Sequence, residues 1–572
     1  MRGNRRARGA AVLAMLALAF AGAPALSAPA NDDAAAASKR ARALADEHRY
    51  AEADSVLRIA LRRNPGDTDL LWLEAAVVGW SGRHREAVAL YETLLAHHPE
   101  LGADLRRDLA NERILADDAA GAVRDLDARL REEPSDFEAQ KLRALALSHA
   151  DRLAESLAAY DRLLKDHPDD LDLALERARV IAWMGKNDRA VEEYREILRR
   201  HPGDERARLG LAQNENWRGN HRAAATIYEE MLRDGLTDPE ISKGLAYAYY
   251  WEGRPDRSRP ALDRFLSTAP NDREGLDLAR MLDRDQSPSL TTGYERSDDS
   301  DALRVRSTTV EYRHGFFDRT VGSVHWRRDN VQDPAGNRDP YRVGAGLERM
   351  WSERWSARVT ADYLKPSDDA DGIGLAEIGV THRPTDRLRI DVGFAKSPVL
   401  TRLSLAKSIT VGAAVAGFDW RVRERAEFHF DQRITWYSDD NRSFRQSARL
   451  KATAISEKRF SLALTLGLDH LATDQDLDNG YYDPASYTEI GPGIESEWKP
   501  AERWTIGLRG QIGRQQERGS DSELFHNFTA SAEVPLGESV GLGIEGSRSN
   551  SNLASASGFR QNRWAATLTT RF

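Results

Sequence analysis

A period of 34 residues runs through the first half of the chain. Prolines recur at intervals of 34 or 35 residues, and the last interval is twice 34. A fixed period of this length indicates similar structural units that stack side by side, each touching only its neighbours. The prolines that mark the period are Pro65, Pro99, Pro134, Pro168, Pro202 and Pro270.

Other residue types keep the same period. A glycine is expected to end the first helix of each unit, and a small residue lets the second helix approach the first. An aromatic fills the gap to the next unit, and proline closes the second helix. This order resembles the tetratricopeptide repeat, with about seven units over residues 35–283 and with Asp117 and Asp151 replacing glycine in two of them. The periodic positions include Gly82, Gly185, Gly219 and Gly253, Ala53, Ala87, Ala122, Ala190 and Ala224, and Tyr91, Tyr160, Tyr194 and Tyr228.

Four tryptophans stand two residues before a repeat glycine. In the repeat family this position lies on the first helix and faces the concave groove. A row of indole rings there could stack on sugar rings or hold apolar side chains of a partner protein. The alternative is that each ring only packs against the next repeat. The candidate binding residues of this half are Trp80, Trp183, Trp217 and Trp251, with Tyr247 and Tyr250 beside the last of them.

The N-terminus has the form of an export signal. Four arginines precede an apolar run from about Ala10 to Ala21, and Ala28-Pro29-Ala30 is a small-residue cleavage site. Residues 1–30 are therefore expected to be a signal peptide, the alternative being an uncleaved anchor. The chain has no cysteine, which excludes disulfides, thiolate chemistry and a lipidated cysteine. Its net charge of -9 gives no basis for nucleic-acid binding.

From about Ser287 the period changes to two. Residues 355–363 place Trp355, Val359 and Tyr363 on one face and Arg358 and Asp362 on the other, and three later segments alternate in the same way. A soluble sandwich also alternates. Aromatics at strand ends, alternating tight and long connections, and a last strand that ends at Phe572 favour a membrane barrel. About 16 antiparallel strands are expected, since single-chain barrels have even counts.

In such a barrel the charged face points inward. From residue 291 onward the chain carries nearly as many basic as acidic residues, so a strongly charged cargo is not indicated, and opposite charges could simply pair to brace the wall. His325 and His429 fall on this polar face, and Asp439-Asp440 is expected to be a solvated turn. No catalytic, metal-binding or cofactor-binding motif is found, so an enzyme is not expected. The candidate lumen residues are Arg358, Asp362, Asp391, Glu427, Asp431, Arg433 and Arg509.

The whole layout resembles outer-membrane exopolysaccharide export porins with periplasmic tetratricopeptide repeats, the PgaA-, BcsC- and PelB-like group with the YaiO-type barrels. The segments "IAWMGKNDRAVEEY", "ENWRGNHRAAATIY" and "NGYYDPASYTEIGPGIE" carry the resemblance. It implies a signal peptide at 1–30, an all-α periplasmic solenoid at 31–287 and an antiparallel transmembrane β-barrel at 288–572, in a Gram-negative outer membrane. Within the third segment, Tyr481, Tyr482 and Tyr487 are candidates to shape a transport path.

The resemblance also implies a function. The barrel would pass an exopolysaccharide, and the repeats would recruit periplasmic or inner-membrane proteins. The alternative is a YaiO-like scaffold, anchored in outer-membrane lipid, that holds a protein complex without conduction. The terminal Phe572 resembles the signal that the barrel assembly machinery reads, which makes that machinery an expected partner.

Overall fold

A computed structural model describes residues 32–317, 319–366, 371–457, 459–477, 479–501, 503–554 and 560–572. The expected signal peptide lies outside these residues. The chain divides into two compact units, Met1–Asn214 and Glu215–Phe572. Helices give way to strands between Gln286 and Ser289, at the place that the change of period predicts. None of the described helices is both long and apolar enough to cross a membrane.

Fifteen α-helices precede the first strand in the described residues, as seven antiparallel pairs and one closing helix. The first unit contains α1 to α10 and most of α11, and the second contains α12 to α15. The helices are α1 Asp32–Asp46, α2 Tyr50–Arg63, α3 Thr68–Trp80, α4 His84–His97, α5 Gly102–Leu115, α6 Ala119–Glu132, α7 Phe137–His149, α8 Leu153–Asp166, α9 Leu171–Trp183, α10 Asn187–Arg200, α11 Glu205–Trp217, α12 His221–Arg233, α13 Pro239–Trp251, α14 Pro255–Thr268 and α15 Arg273–Gln286.

The turn inside each helix pair needs one residue in the left-handed region. Gly82 and Gly253 occupy it with φ of 83° and 72°, and glycine does so without steric cost. Asp117 and Asp151 adopt φ of 67° and 63°, which aspartate tolerates better than most residues. Their expected role as replacements for the repeat glycine is confirmed.

The aromatic of each repeat packs against the next repeat. Tyr228 on α12 is 1% exposed, and a Cβ atom added at Gly244 on α13 would overlap its ring. Within the first unit, Tyr194 on α10 stands in the same relation to Gly210 on α11. The aromatic and the small residue are complementary, so the predicted filling of the gap between repeats is confirmed.

Sixteen long antiparallel strands follow in the part of the chain that the structure describes, and each pairs with its neighbour in the sequence. A short strand, Gly336–Arg338, only extends the hairpin after the third. The strands are β1 Ser289–Asp299, β2 Arg304–Phe317, β3 Thr320–Asp333, β4 Tyr341–Met350, β5 Trp355–Lys365, β6 Ile373–Thr385, β7 Leu388–Pro398, β8 Thr410–Arg423, β9 Ala426–Tyr437, β10 Arg442–Ser456, β11 Phe460–Thr473, β12 Tyr487–Trp498, β13 Thr505–Glu517, β14 Glu523–Pro535, β15 Val540–Ser549 and β16 Gln561–Arg571.

The sheet closes on itself. β1 pairs with β16 over its whole length, and Tyr294 lies opposite Ala566. Closure leaves no unpaired sheet edge, which is what allows strands to cross a lipid bilayer. The predicted count of about 16 strands is confirmed.

The two faces of the barrel wall differ as the alternation predicts. Leu464, Leu466 and Leu468 on β11 share one face and are 55%, 48% and 41% exposed. Thr465 and Asp469 lie on the opposite face of the same strand. A band of exposed apolar side chains is stable only against lipid, so it forms the outer surface and the polar face lines the interior.

Candidate functional site

The interior face carries paired charges. Arg358 on β5 donates to Glu377 on β6, and His325 on β3 pairs with Asp362 on β5. Arg358 and Glu377 lie on the paired strands β5 and β6, whereas His325 and Asp362 meet across β4, which pairs with both β3 and β5. Pairing of this kind braces the wall and leaves little net charge at these positions.

Further candidates lie in similar pairs. Asp391 accepts a hydrogen bond from the Thr381 hydroxyl and has Arg389 Nε at 2.8 Å. His429 Nε2 lies 3.1 Å from Asp431 Oδ1. Both histidines therefore lie on the polar face, as the sequence predicts. The other two candidates, Glu427 and Arg433, are exposed on the same face of β9.

One acidic group faces three cations. Glu495 on β12 lies 3.0 Å from Lys451 Nζ, 3.4 Å from Arg509 Nε and 3.6 Å from Arg449 Nη1. The side chain of Arg509 is 62% exposed, so it reaches the water of the lumen. This part of the wall carries more positive than negative charge.

The segment that carries the family resemblance continues into β12. Its Pro492 has no N–H to donate, and the pairing with β13 is interrupted between Ile490 and Gly493. The Gln511 side chain donates to the Gly491 carbonyl oxygen at 3.2 Å. A Cβ atom at Gly491 would collide with the backbone of β13. Glycine and proline here therefore shape the wall.

The barrel end that holds Ser289 and Arg571 also holds the last repeats. Arg222, at the start of α12, donates from Nε to Asp386 Oδ1 at 2.7 Å and from its backbone N to Oδ2 at 3.0 Å. Asp386 lies in the tight turn between β6 and β7. The contact places a carboxylate at a helix N-terminus, which favours negative charge.

A second contact joins α14 to two neighbouring turns. Asp256 lies 3.2 Å from Arg254 Nε and 2.6 Å from Arg319 Nη2, and Arg254 also pairs with Glu353. Burial alone would raise the pKa of Asp256, but the hydrogen bonds from Arg319 and Arg254 lower it to about 2. Burial raises the pKa of nearby Glu252 to about 7, and the charge of Glu353 adds to the rise.

The four tryptophans of the row differ in their exposure. Trp183 is partly buried, with the Arg179 guanidinium 5.1 Å from its ring and the His149 ring at 5.8 Å. Trp80, Trp217 and Trp251 are 41%, 52% and 56% exposed.

The last two tryptophans are close to the barrel. Gly219 and Gly253, two residues beyond Trp217 and Trp251, lie against Arg421 and Met350 of the barrel. Beside Trp251, the Tyr247 hydroxyl donates to Glu274 O at 3.0 Å and the Tyr250 hydroxyl donates to Asp285 Oδ2 at 2.7 Å. Their role in binding stays a prediction.

The three tyrosines near the other barrel end are held by side-chain contacts. Tyr481 is 7% exposed and stacks on Tyr437 with ring centroids 4.3 Å apart. Tyr487 is 1% exposed, and its hydroxyl bonds to Glu489 at 2.8 Å. Tyr482 is partly buried and bonds to Glu517 at 2.9 Å. Their role in shaping a transport path stays a prediction.

The fold and the polar lumen define a class: an outer-membrane β-barrel protein with an N-terminal tetratricopeptide-repeat arm in the periplasm. Comparison with family models shows what the two regions are similar to. Residues 336–545 match the PgaA membrane beta barrel domain, and residues 107–170 and 218–273 match a tetratricopeptide repeat family. The resemblance to outer-membrane polysaccharide export porins is thereby confirmed, with a PgaA-type barrel domain.

Solved structures are more distant. A "Bacterial polysaccharide outer membrane secretin" is 16% identical over 50% of this chain and 99% of its own, with a TM-score of 0.43. A tetratricopeptide repeat protein from Parabacteroides merdae is 16% identical over 44% of this chain and 99% of its own, with a TM-score of 0.40. These likenesses are too weak to add to the family matches. No curated protein matches the chain.

Proposed function

We propose that the barrel exports a polysaccharide and that the repeats bind periplasmic or inner-membrane proteins that deliver it. The observation that carries the proposal is the polar inner face of a closed barrel of 16 strands. A barrel of this size leaves room for an aqueous channel. The PgaA-type barrel domain supports the same reading.

The periplasmic entrance of the path lies beside Trp217 and Trp251. Both rings are more than half exposed, and both lie two residues from a glycine that packs on the barrel. The same slots in adjacent repeats are close in space, as the His149 and Trp183 rings show. Indole faces at such spacing suit the apolar faces of successive sugar rings.

Inside the barrel, the polysaccharide then passes the paired charges of the lumen wall. Because most of the candidates have an opposite partner, the wall offers hydrogen bonds without a strong net field, which suits a neutral or weakly charged polymer. The cations around Glu495 give one place where acidic substituents could bind. Tyr481, Tyr482 and Tyr487 shape the outer end of this path.

Export by a producing strain tests the proposal. Replacing Trp217 and Trp251 together by Ala should lower the extracellular polysaccharide severalfold, while heat-modifiable barrel stays at the normal level. The matched Trp217→Phe and Trp251→Phe pair keeps an aromatic face and should retain most export. Equal export from the double Ala variant and the double Phe variant would show that the two tryptophans do not contribute to the path.

The scaffold alternative makes a different prediction. A barrel without a conducting role would pass no ions in a planar bilayer, and full export would persist when the lumen is narrowed. Gly467→Trp, on the inward face of β11, narrows it, and Leu468→Trp on the outer face is the control. Loss of export in Gly467→Trp but not in Leu468→Trp would support transport through the barrel.

Assembly is expected to depend on Phe572. Its side chain is 68% exposed, and its backbone N–H donates to Pro288 O at 3.1 Å beside the β1–β16 seam. We propose that the barrel assembly machinery reads this terminal aromatic before the seam closes. Deleting Phe572 should leave protease-sensitive periplasmic protein, and normal surface levels would contradict the proposal.

A further inference from the structure

The outer wall of the barrel carries a cluster of arginines beside the seam. The periplasmic repeats join the end that holds Ser289, so the opposite end, where β1 ends at Asp299, is the extracellular one. Four exposed arginines lie near that end on three neighbouring strands. We call them the arginine patch, which consists of Arg296 on β1, Arg304 and Arg306 on β2, and Arg328 on β3.

The alternation of the strands places this patch on the lipid-facing side of the wall. Arg296 follows Tyr294 by two residues and so shares its face, and Tyr294 is 49% exposed on the outer surface. Arg306 is the register partner of Arg296 and therefore lies on the same face. The intervening residues point into the lumen, where Glu295 lies 2.7 Å from Arg563 Nε. The patch is thus separated from the polar interior by the wall itself.

Two arginines of the patch lie directly opposite each other. Such positions on antiparallel strands have Cβ atoms about 4.5–5.5 Å apart, and like charges there destabilise the sheet. Arg296 and Arg306 form such a pair. Arg328 is one diagonal step from Arg306, because its register partner on β2 is Thr308. Three cations are therefore close together beside lipid, which screens charge poorly.

One carboxylate within the patch serves only part of it. Asp298 lies 2.7 Å from Arg296 Nε and 3.4 Å from Arg304 Nε, so two arginines share it. In the part of the chain that the structure describes, Arg306 and Arg328 form no ion pair. The positive charge of these two side chains is therefore not balanced within the patch.

Other acidic groups at this end do not supply the balance. Asp339, after β3, accepts hydrogen bonds from the side chains of Asn330 and Asn337. Asp299 accepts from two backbone N–H groups in the turn after β1, and Asp301 lies at the exposed tip of that turn. A negative charge that fits between the unpaired arginines has to come from a ligand.

Aromatic side chains place the patch at the level of the lipid headgroups. Trp564 on β16 is the register partner of Arg296 across the seam and is 63% exposed. Tyr341 on β4 is the partner of Arg328 and is 42% exposed. Exposed aromatics of membrane barrels collect where the hydrocarbon layer meets the headgroups. The arginines therefore contact headgroups rather than acyl chains.

We propose that the arginine patch binds a phosphate of the phosphorylated glycolipid that forms the extracellular leaflet of a Gram-negative outer membrane. Guanidinium groups donate paired hydrogen bonds to phosphate oxygens and keep their charge at physiological pH. A phosphate between Arg296, Arg306 and Arg328 removes their mutual repulsion and holds three strands together beside the seam. The exposed indole of Trp564 offers a flat face to a sugar ring of the same lipid.

The occupant is a lipid because of where the patch lies. A polysaccharide inside the barrel cannot reach the outer wall, and a soluble anion would have to displace the headgroups that already surround these side chains. Cationic clusters at a membrane surface attract anionic headgroups. The site is therefore independent of the proposed export function.

Binding of purified lipid A to the full-length protein tests the proposal. The protein is placed in phosphatidylcholine nanodiscs, and native mass spectrometry measures bound lipid A over a range of concentrations. Arg306→Gln with Arg328→Gln should weaken binding by about tenfold or more, because charge-assisted hydrogen bonds to the phosphate are lost. Lipid A from which the phosphates have been removed should bind the wild type no better than intact lipid A binds this variant.

A matched arginine elsewhere on the barrel provides the control. Arg514 on β13 is exposed on the outer face near the same end, but its register partners are the apolar Ile490 and Leu524. Arg514→Gln should bind lipid A as the wild type does. Wild-type affinity in the double variant, an equal loss in Arg514→Gln, or equal binding of lipid A without phosphates would overturn the proposal.

The stability of the folded barrel separates lipid binding from a structural role. Without lipid A, Arg306→Gln should lose its heat-modifiable form at the same temperature as the wild type or at a higher one, because a like-charged pair is removed. Added lipid A should raise this temperature for the wild type and for Arg514→Gln, since a ligand of the folded state stabilises it. The same rise in Arg306→Gln with Arg328→Gln would show that the patch does not bind the lipid.

Discussion

The solenoid and the barrel use the same residue types in opposite ways. Tyr228 in the solenoid is 1% exposed, whereas Tyr294 on β1 is 49% exposed on the outer face. Each repeat buries its apolar side chains against the next repeat, and the barrel presents them to lipid. A mean hydropathy of -0.61 describes both regions poorly. The period of the pattern, rather than the average, decides which solvent each region needs.

The largest expected effect comes from removing the aromatic between two repeats. Tyr228→Ala should lower the free energy of unfolding by about 3–5 kcal/mol, because a cavity replaces a buried ring. Tyr294→Ala is the matched change on the barrel and should cost much less. Urea unfolding followed by helical circular dichroism measures the first, and heat modifiability measures the second. Similar losses of stability in Tyr228→Ala and Tyr294→Ala would contradict the proposed difference between the solenoid and the barrel.

A charge placed on the outer face of the barrel tests whether that face contacts lipid. Leu466→Arg should destabilise the folded barrel by about 2–4 kcal/mol, because the cation must enter the hydrocarbon layer. Thr465→Arg, one residue away on the inward face, should be tolerated. Unfolding in lipid vesicles gives both values. Equal cost at the two positions would mean that the assigned faces are wrong.

Periodicity made much of the fold predictable. A period of 34 gives the helix pairs, and a period of two gives strands and faces, because each reflects the local geometry of one element. Even the left-handed Asp117 and Asp151 follow from their place in the repeat.

Contacts between distant residues were not predictable in this way. Arg222 and Asp386 are 164 residues apart, and Ser404 and Asn479 are 75 apart. A pattern shows which way a side chain faces but not what lies opposite. Asp439-Asp440 was expected to be a solvated turn, and Asp439 does lie in a turn, but the pattern did not predict the hydrogen bonds that it accepts from Asn479 and Tyr481.

The contacts of the last repeats with the barrel turns should contribute less to the free energy of unfolding than the buried core of the solenoid or the wall of the barrel. Arg222→Ala and Asp386→Ala, measured singly and together, should show a coupling of about 0.5–3 kcal/mol. The readout is protease resistance of residues 215–286 in the assembled protein. Arg259→Ala with Asp283→Ala, a pair within the solenoid, is the control. Additive effects for the first pair would show that the turns do not hold the repeats.

The smallest expected effect is a pH dependence of the same contacts. Burial, with the charges of Glu353 and Asp386, raises the pKa of Glu252 from 4.5 to about 7. The folded state therefore binds this proton more tightly than the unfolded state, so the stabilisation is complete below about pH 4.5 and is lost as pH rises through about 7. Asp256 acts in the opposite sense, since its lowered pKa affects stability only below about pH 4.

Between about pH 5 and 8 the Glu252 effect should dominate, because its pKa shift is large, although burial also lowers the pKa of nearby His221, which acts in the opposite sense. Proteolysis of residues 215–286 should quicken as pH rises across this range, after correction for the protease's own pH profile. Glu252→Gln keeps the shape of the side chain and cannot ionise, so it should remove the slope and hold the rate near the low-pH value. Asp263→Asn, an exposed position on α14, should leave the slope unchanged. An unchanged slope in Glu252→Gln would assign the pH dependence to another group.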